Sequence, residues 1–144
     1  MSMDWVPTLL AAAGAKNDRA FPSDGINLLP QLTENVAPVR RKLFWRYKAN
    51  AQRAVRDGDY KFLKILDNTF LFNVVDDPLE RANLKGRHKD VYRRLIREWY
   101  NWNAAMLPEI RESATASFRG EQLADHFGAK RSDQMPDIPR PPDD

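Results

Sequence analysis

Trp45-Arg46-Tyr47-Lys48-Ala49-Asn50-Ala51-Gln52 brings two aromatic rings, two cations and two side-chain amides into eight consecutive residues. Guanidinium, ammonium and amide N–H groups are donors that hold an anionic substrate. Arg46, Tyr47, Lys48, Asn50 and Gln52 are therefore the candidate substrate-pocket residues. The plainer account is an ordinary hairpin that leaves Arg46 and Lys48 in water and makes Trp45 a sheet residue. Other chemistry-bearing groups are sparse. The chain has no cysteine and only His88 and His126 as histidines, and neither stands at ligand spacing from a second His, Cys or carboxylate. Asp76-Asp77 with Glu80 could hold a cation or form an acid–base pair, but Asp77 precedes Pro78 and is better explained by turn and capping chemistry. Trp99 and Trp102 could stack on a sugar, yet large aromatics at core spacing usually fill a helix–sheet core. No catalytic residue and no metal ligand is assigned to this chain.

A sheet must position the segment. Asp57-Gly58 lies between two runs rich in apolar residues, and a Gly that tolerates positive φ makes that pair a strong hairpin signal. Four strands are expected at about 42–48, 52–57, 60–66 and 69–75, the last stopped by Asp77-Pro78. Phe62, Leu63, Ile65 and Leu66, then Phe70, Leu71, Phe72, Val74 and Val75, run apolar without clean alternation, which predicts strands covered on both faces. His88, Tyr92, Leu95, Trp99, Trp102 and Met106 recur at spacings of four and three, which predicts an aromatic-striped helix of about 20 residues lying on one face.

Upstream, Asp4 is placed to cap a helix that accepts Pro7 in its first turn and stops at Gly14. Residues 15–38 carry Pro22, Asp24-Gly25, Pro30 and Pro38 with little periodicity and read as an irregular connector. Downstream, Met135 to Asp144 holds four prolines in ten residues, a composition that favours extended polyproline conformation. The domain reading is thus 1–38 as helix and connector, 39–112 as an α+β subdomain, and 113–144 as a Pro-rich polar tail.

Length allows one hydrophobic core: 144 residues is one domain's worth. The absence of cysteine excludes disulfides and thiolate metal sites. The formal charge is +3 with a pI near 9.3, which raises the question of nucleic acid. Arg87, Lys89, Arg93, Arg94 and Arg97 cluster at one helix, but Asp90 and Glu98 interrupt them, and phosphate binding needs a sustained positive surface. A solvated helix face accounts for the pattern, so neither a nucleic-acid nor a membrane partner is expected. No apolar run reaches the ~18 residues of a membrane span. The reading is a soluble chain, cytoplasmic or periplasmic, with the compartment otherwise unknown.

Five pieces of the sequence, in order, resemble one family. Met3-Asp-Trp-Val-Pro-Thr-Leu-Leu-Ala-Ala-Ala-Gly14 is similar to a D-x-x-P-T helix, and Asp24-Gly25-Ile26-Asn27-Leu28-Leu29-Pro30 to the DG-x-x-L-x-P loop that follows it. Leu43-Phe44-Trp45-Arg46, the hairpin Ala54 to Lys61, and Leu71-Phe72-Asn73 through Asp77-Pro78-Leu79-Glu80-Arg81-Ala82-Asn83-Leu84 complete the set. Together they resemble the arylsulfatase-like sulfatases of the alkaline-phosphatase superfamily, over roughly positions 3 to 107 and in their carboxy-terminal portion only. The resemblance implies a parent sulfuric ester hydrolase whose formylglycine, made within C/S-x-P-x-R, and calcium-type divalent metal lie in an amino-terminal part not present here. It also implies that the segment around Arg46 approaches the active-site mouth, for a sulfated small molecule or glycan.

The expected fold is therefore α+β: about four antiparallel strands packed by a carboxy-terminal helix. The expected function is to complete a sulfatase fold and line its substrate pocket without catalysing alone. The alternative is a stand-alone interaction or oligomerisation module. Either way, Val6, Leu9, Leu10, Ile26, Leu28 and Leu29 would lack the main domain they pack on in the family, so a homo-oligomer is expected.

Overall fold

A computed structural model of the chain describes residues 1–47 and 51–109. It contains two compact units, Met1–Arg40 and a second that begins at Arg41.

In the first unit a 3-10 turn, Ser2–Asp4, leads into α1, Trp5–Ala12, and a short helix α2, Leu29–Thr33, stands within the segment read as irregular. Pro at the first turns of both helices costs nothing, because those N–H groups have no intrahelical acceptor. Asp4 does not cap α1 with its side chain. Its carboxylate, 1% exposed, accepts instead from the amino terminus at 2.5 Å and from Ile26 N at 3.1 Å. Thr8 relays a second link: its hydroxyl donates to Asp4 O and accepts from Leu28 N. The loop thus docks on the helix start through buried polar groups. Gly25 permits the approach, since a Cβ there would fall on the backbone of Met3 and Asp4.

The second unit is the expected sheet and helix. Strands β1 (Lys42–Tyr47), β2 (Gln52–Asp57), β3 (Tyr60–Ile65) and β4 (Asn68–Asn73) form an antiparallel meander in sequence order. The β2–β3 turn is Gly58-Asp59, with Gly58 at φ 57°, where a side chain would be strained. The β3–β4 turn puts Leu66 at φ 51°. Helix α3, Lys89–Ala104, is shorter than the predicted stripe because Met106 lies beyond its end.

Alternation along the strands fixes what each face carries. Val55, Phe62 and Leu71 point to α3 and meet Leu95, Ile96 and Trp99 in a core where Val55, Leu71 and Leu95 are fully buried. Phe44 stacks on Trp102 at 5.2 Å, and Phe62 meets Tyr92 edge-on at 5.8 Å. An ion-pair chain closes one end: Lys42 and Asp57 are cross-strand partners, Lys42 binds Glu98, and Arg94 binds both Asp57 and Glu98. On the other face Phe70 and Phe72 stack at 5.6 Å beside Leu63, Ile65 and Val74, and both rings are buried. Burial on two faces is what the unbroken apolar runs require.

The outer edge of β4 is occupied by a side chain. Asn83 accepts from Leu71 N at 3.1 Å and donates to Thr69 O at 3.2 Å, while Leu84 N donates to Leu71 O at 2.7 Å. The amide therefore makes the bonds that a fifth strand would make.

Candidate functional site

Parity along β1 separates the candidate residues. Tyr47 shares its face with Trp45, and Arg46 points to the other. The Arg46 guanidinium accordingly reaches the end of α3, donating to Asn103 Oδ1 at 2.9 Å and Leu107 O at 2.8 Å, with Glu109 at 3.6 Å. Its cross-strand partner Arg53 is 2% exposed and binds Glu109 at 2.7 Å. Arg53 Nη1 also donates to Tyr47 O and Gln52 O, tying together the two strand ends that flank the loop. Burial lowers the pKa of Arg53, and the Glu109 carboxylate counters that. These two arginines hold the ends of β1 and β2 from the helix side.

Tyr47 and Gln52 lie on the opposite face, where the sheet carries a cleft of about 570 Å³, a size typical of ligand sites. Trp45 and Tyr47 line it from β1, Arg56 and Lys61 line it from the next two strands, and Gln52 and Glu80 complete the polar lining. Ala54, the cross-strand neighbour of Trp45, and Leu63 form an apolar floor. Lys61 Nζ pairs with Glu80 Oε1 at 2.6 Å. Arg56 donates from Nε to Gly58 O at 3.3 Å and has no carboxylate partner among the described residues. The cleft can therefore offer two exposed aromatic faces, one guanidinium fork and one amide.

Of the five candidate residues, Tyr47 and Gln52 line this cleft, Arg46 turns away from it, and Lys48 and Asn50 lie outside the described residues. Arg56 and Lys61 are not among the sequence candidates, and Glu80 is read there only with Asp76-Asp77 as a possible cation site or acid–base pair. The signal for the first two was the Asp57-Gly58 turn, which fixes register and sets Arg56 opposite Lys61. Trp45 is a sheet residue, as read, and a cleft wall as well.

The remaining candidates have local explanations. Asp77 Oδ2 accepts from Ala82 N at 2.7 Å and Asp77 O from Glu80 N at 3.0 Å, while Asp76 accepts from Asn73. His88 lies against Tyr60, and His126 is outside the described residues. Trp99 is 1% exposed and belongs to the core. Among the described residues no group of three or more His, Cys, Asp or Glu could hold a metal ion. No described helix is long and apolar enough to cross a membrane.

No protein-family model matches the chain. Solved structures do. The structure of Ps i-CgsB in complex with k-i-k-neocarrahexaose is 28% identical, with a TM-score of 0.57 over 69% of this chain and 23% of its own. A protein from the metabolism of multiple glycosaminoglycans by Bacteroides thetaiotaomicron matches at 19% identity and TM-score 0.57, over 70% of this chain and 24% of its own. A 2-O GAG sulfatase matches at 23% identity and TM-score 0.53, with the same coverage. The chain spans about a quarter of the length of the structures it matches. The expected α+β fold, a four-stranded antiparallel sheet packed by a helix, is thus one that part of these solved structures shares, the 2-O GAG sulfatase among them.

Proposed function

We propose that this chain is the carboxy-terminal part of a sulfuric ester hydrolase acting on a sulfated glycan, that it completes the fold and lines the substrate pocket, and that it does no chemistry alone. The observation that carries this is the match to Ps i-CgsB bound to k-i-k-neocarrahexaose, at 28% identity over 69% of the chain. The match to a 2-O GAG sulfatase supports the same substrate class. In this reading Arg46, Tyr47, Lys48, Asn50 and Gln52 stand at the pocket, Arg46 as a brace and the others as contacts. The formylglycine and calcium-type metal that such a hydrolase uses belong to the part of the enzyme that this chain does not contain.

The test is an aryl sulfate assay, with nitrocatechol sulfate as substrate, on the chain alone and on the chain joined to a sulfatase amino-terminal portion that carries formylglycine. Turnover only in the joined protein is the expected result. Turnover by the pure chain, abolished by substitutions within it, would sink the proposal.

A homo-oligomer belongs to this reading too, because Trp5, Val6 and Leu9 are 61%, 58% and 60% exposed on one short helix. Single exposed apolar residues are ordinary, but a cluster favours a partner. Sedimentation equilibrium at micromolar concentration should give a multiple of 16.7 kDa; a monomer mass throughout would dismiss self-association.

A further inference from the structure

The cleft on the sheet face away from α3 combines features that a sugar bearing a sulfate would use, and we infer that it is a binding subsite for one sulfated sugar unit, with Trp45 and Tyr47 stacking on the ring and Arg56 gripping the sulfate. This rests on the sulfated-glycan reading above and assigns residues that the sequence had not connected with it.

The aromatic wall comes first. Trp45 and Tyr47 are two positions apart on β1, so their side chains leave the same face about 7 Å apart along the strand. They remain 38% and 43% exposed. They are not part of the helix-side core, whose rings are Phe44, Tyr60, Phe62, Tyr92, Trp99, Tyr100 and Trp102. Their apolar faces suit the C–H face of a sugar, with the indole and phenol edges still able to hydrogen-bond.

The charge comes second. Arg56 and Lys61 are direct cross-strand neighbours, and like charges placed so are unfavourable without an anion between or beside them. Glu80 neutralises Lys61 at 2.6 Å. It reaches there from a backbone held at φ 55°, a conformation that a non-glycine residue adopts at a cost. Among the described residues Arg56 is left as the cation of the cleft without a carboxylate partner. A guanidinium offers two parallel N–H donors to a tetrahedral oxyanion, so a sulfate oxygen pair matches it better than it matches an ammonium.

Depth comes third. Ala54 sits between the aromatic wall and Leu63 in the cross-strand row. A larger residue at that position would fill the floor and leave only a flat sheet.

The experiment is titration calorimetry of the full chain with a heparin-derived hexasaccharide and a sulfated galactan hexasaccharide, each beside its chemically desulfated form. Circular dichroism confirms that every variant is folded. At least one sulfated probe should bind the unaltered chain. Arg56→Gln should weaken that binding about tenfold, the loss of one good charge-assisted contact, and leave desulfated binding unchanged. Trp45→Ala should weaken both by a similar factor. Failure of every sulfated probe to bind, or binding that survives both substitutions, overturns the subsite, whatever the joined enzyme does with an aryl sulfate. Cleft-dependent binding retained in a joined protein that hydrolyses no sulfate ester leaves the subsite standing and overturns the enzymatic reading instead.

Discussion

The guanidinium of Arg53 lies over the indole of Trp99, 5.3 Å from the ring centre. A buried cation needs such a neighbour, because removal from water is the largest influence on it and a ring face recovers part of the lost solvation. Glu109 supplies the counter-charge at 2.7 Å. Trp99 in turn donates its indole N–H to Trp45 O at 3.1 Å, so one side chain joins the core, the buried cation and the strand that carries the cleft.

Trp99→Ala should therefore cost about 3–5 kcal/mol, as truncation of a packed aromatic does, and urea denaturation should read it as a large fall in midpoint. A loss below about 1 kcal/mol would mean that the ring is not packed between helix and sheet.

Glu109→Gln leaves the Arg53 cation buried without its partner and should destabilise by about 3 kcal/mol. Lys42→Ala breaks a pair whose lysine is 42% exposed and should cost under about 1 kcal/mol. Arg53→Met is the informative third variant. Replacing the buried charge by an apolar chain of similar volume should recover most of the Glu109→Gln loss when the two are combined.

Burial pushes the Tyr100 phenol up to about 12, with the Arg53 charge pulling it down. Its hydroxyl has no hydrogen-bond partner among the described residues. In the unfolded chain the phenol ionises near pH 10, so the folded state holds the proton longer. The contribution to stability is complete below about pH 10 and is lost as pH rises through about 12. Tyr100→Phe should make the alkaline loss shallower in this window and leave neutral-pH stability unchanged or slightly higher, as denaturation followed across the window would show.

Asn83→Ala removes the acceptor of Leu71 N and the donor to Thr69 O. The expected cost is about 1–2 kcal/mol. Hydrogen exchange at Leu71 should accelerate before exchange in β2, and equal protection in both would show that the amide contributes nothing to the edge.

The fold was legible where the cause is local. Asp57-Gly58 marks a turn because Gly58 takes a left-handed φ of 57°, and the Trp99 stripe marks a helix because its period is helical. Turn chemistry gave no hint of Leu66 at φ 51°; tertiary packing of a residue 9% exposed holds it there. The short helix Leu29–Thr33 was hidden among prolines that also fit a loop.

The cleft was half legible. Tyr47 and Gln52 were found by residue type, but parity was not applied within the segment, and parity is what turns Arg46 toward Asn103. The same rule places Arg53 beside Val55 on the helix side, so its burial was implied once Val55 was assigned to the core. In the sequence Glu80 is read only with Asp76-Asp77, as a possible cation or acid–base group. Its link to Lys61 spans 19 residues and depends on how the turn after β4 folds back, which no short-range pattern encodes.

The side chain of Asn83 also limits how copies of this subdomain could join through their sheets. A sheet with two open edges can add strands indefinitely, the geometry of a fibre. Here β4 is closed by its own loop, so among the described strands only β1 could accept a strand from another copy. Two such edges meeting about a two-fold axis consume each other. Any assembly built on backbone pairing ends at two, and an eight-stranded sheet would be its limit, so the cap on one edge sets an upper bound on growth at the other.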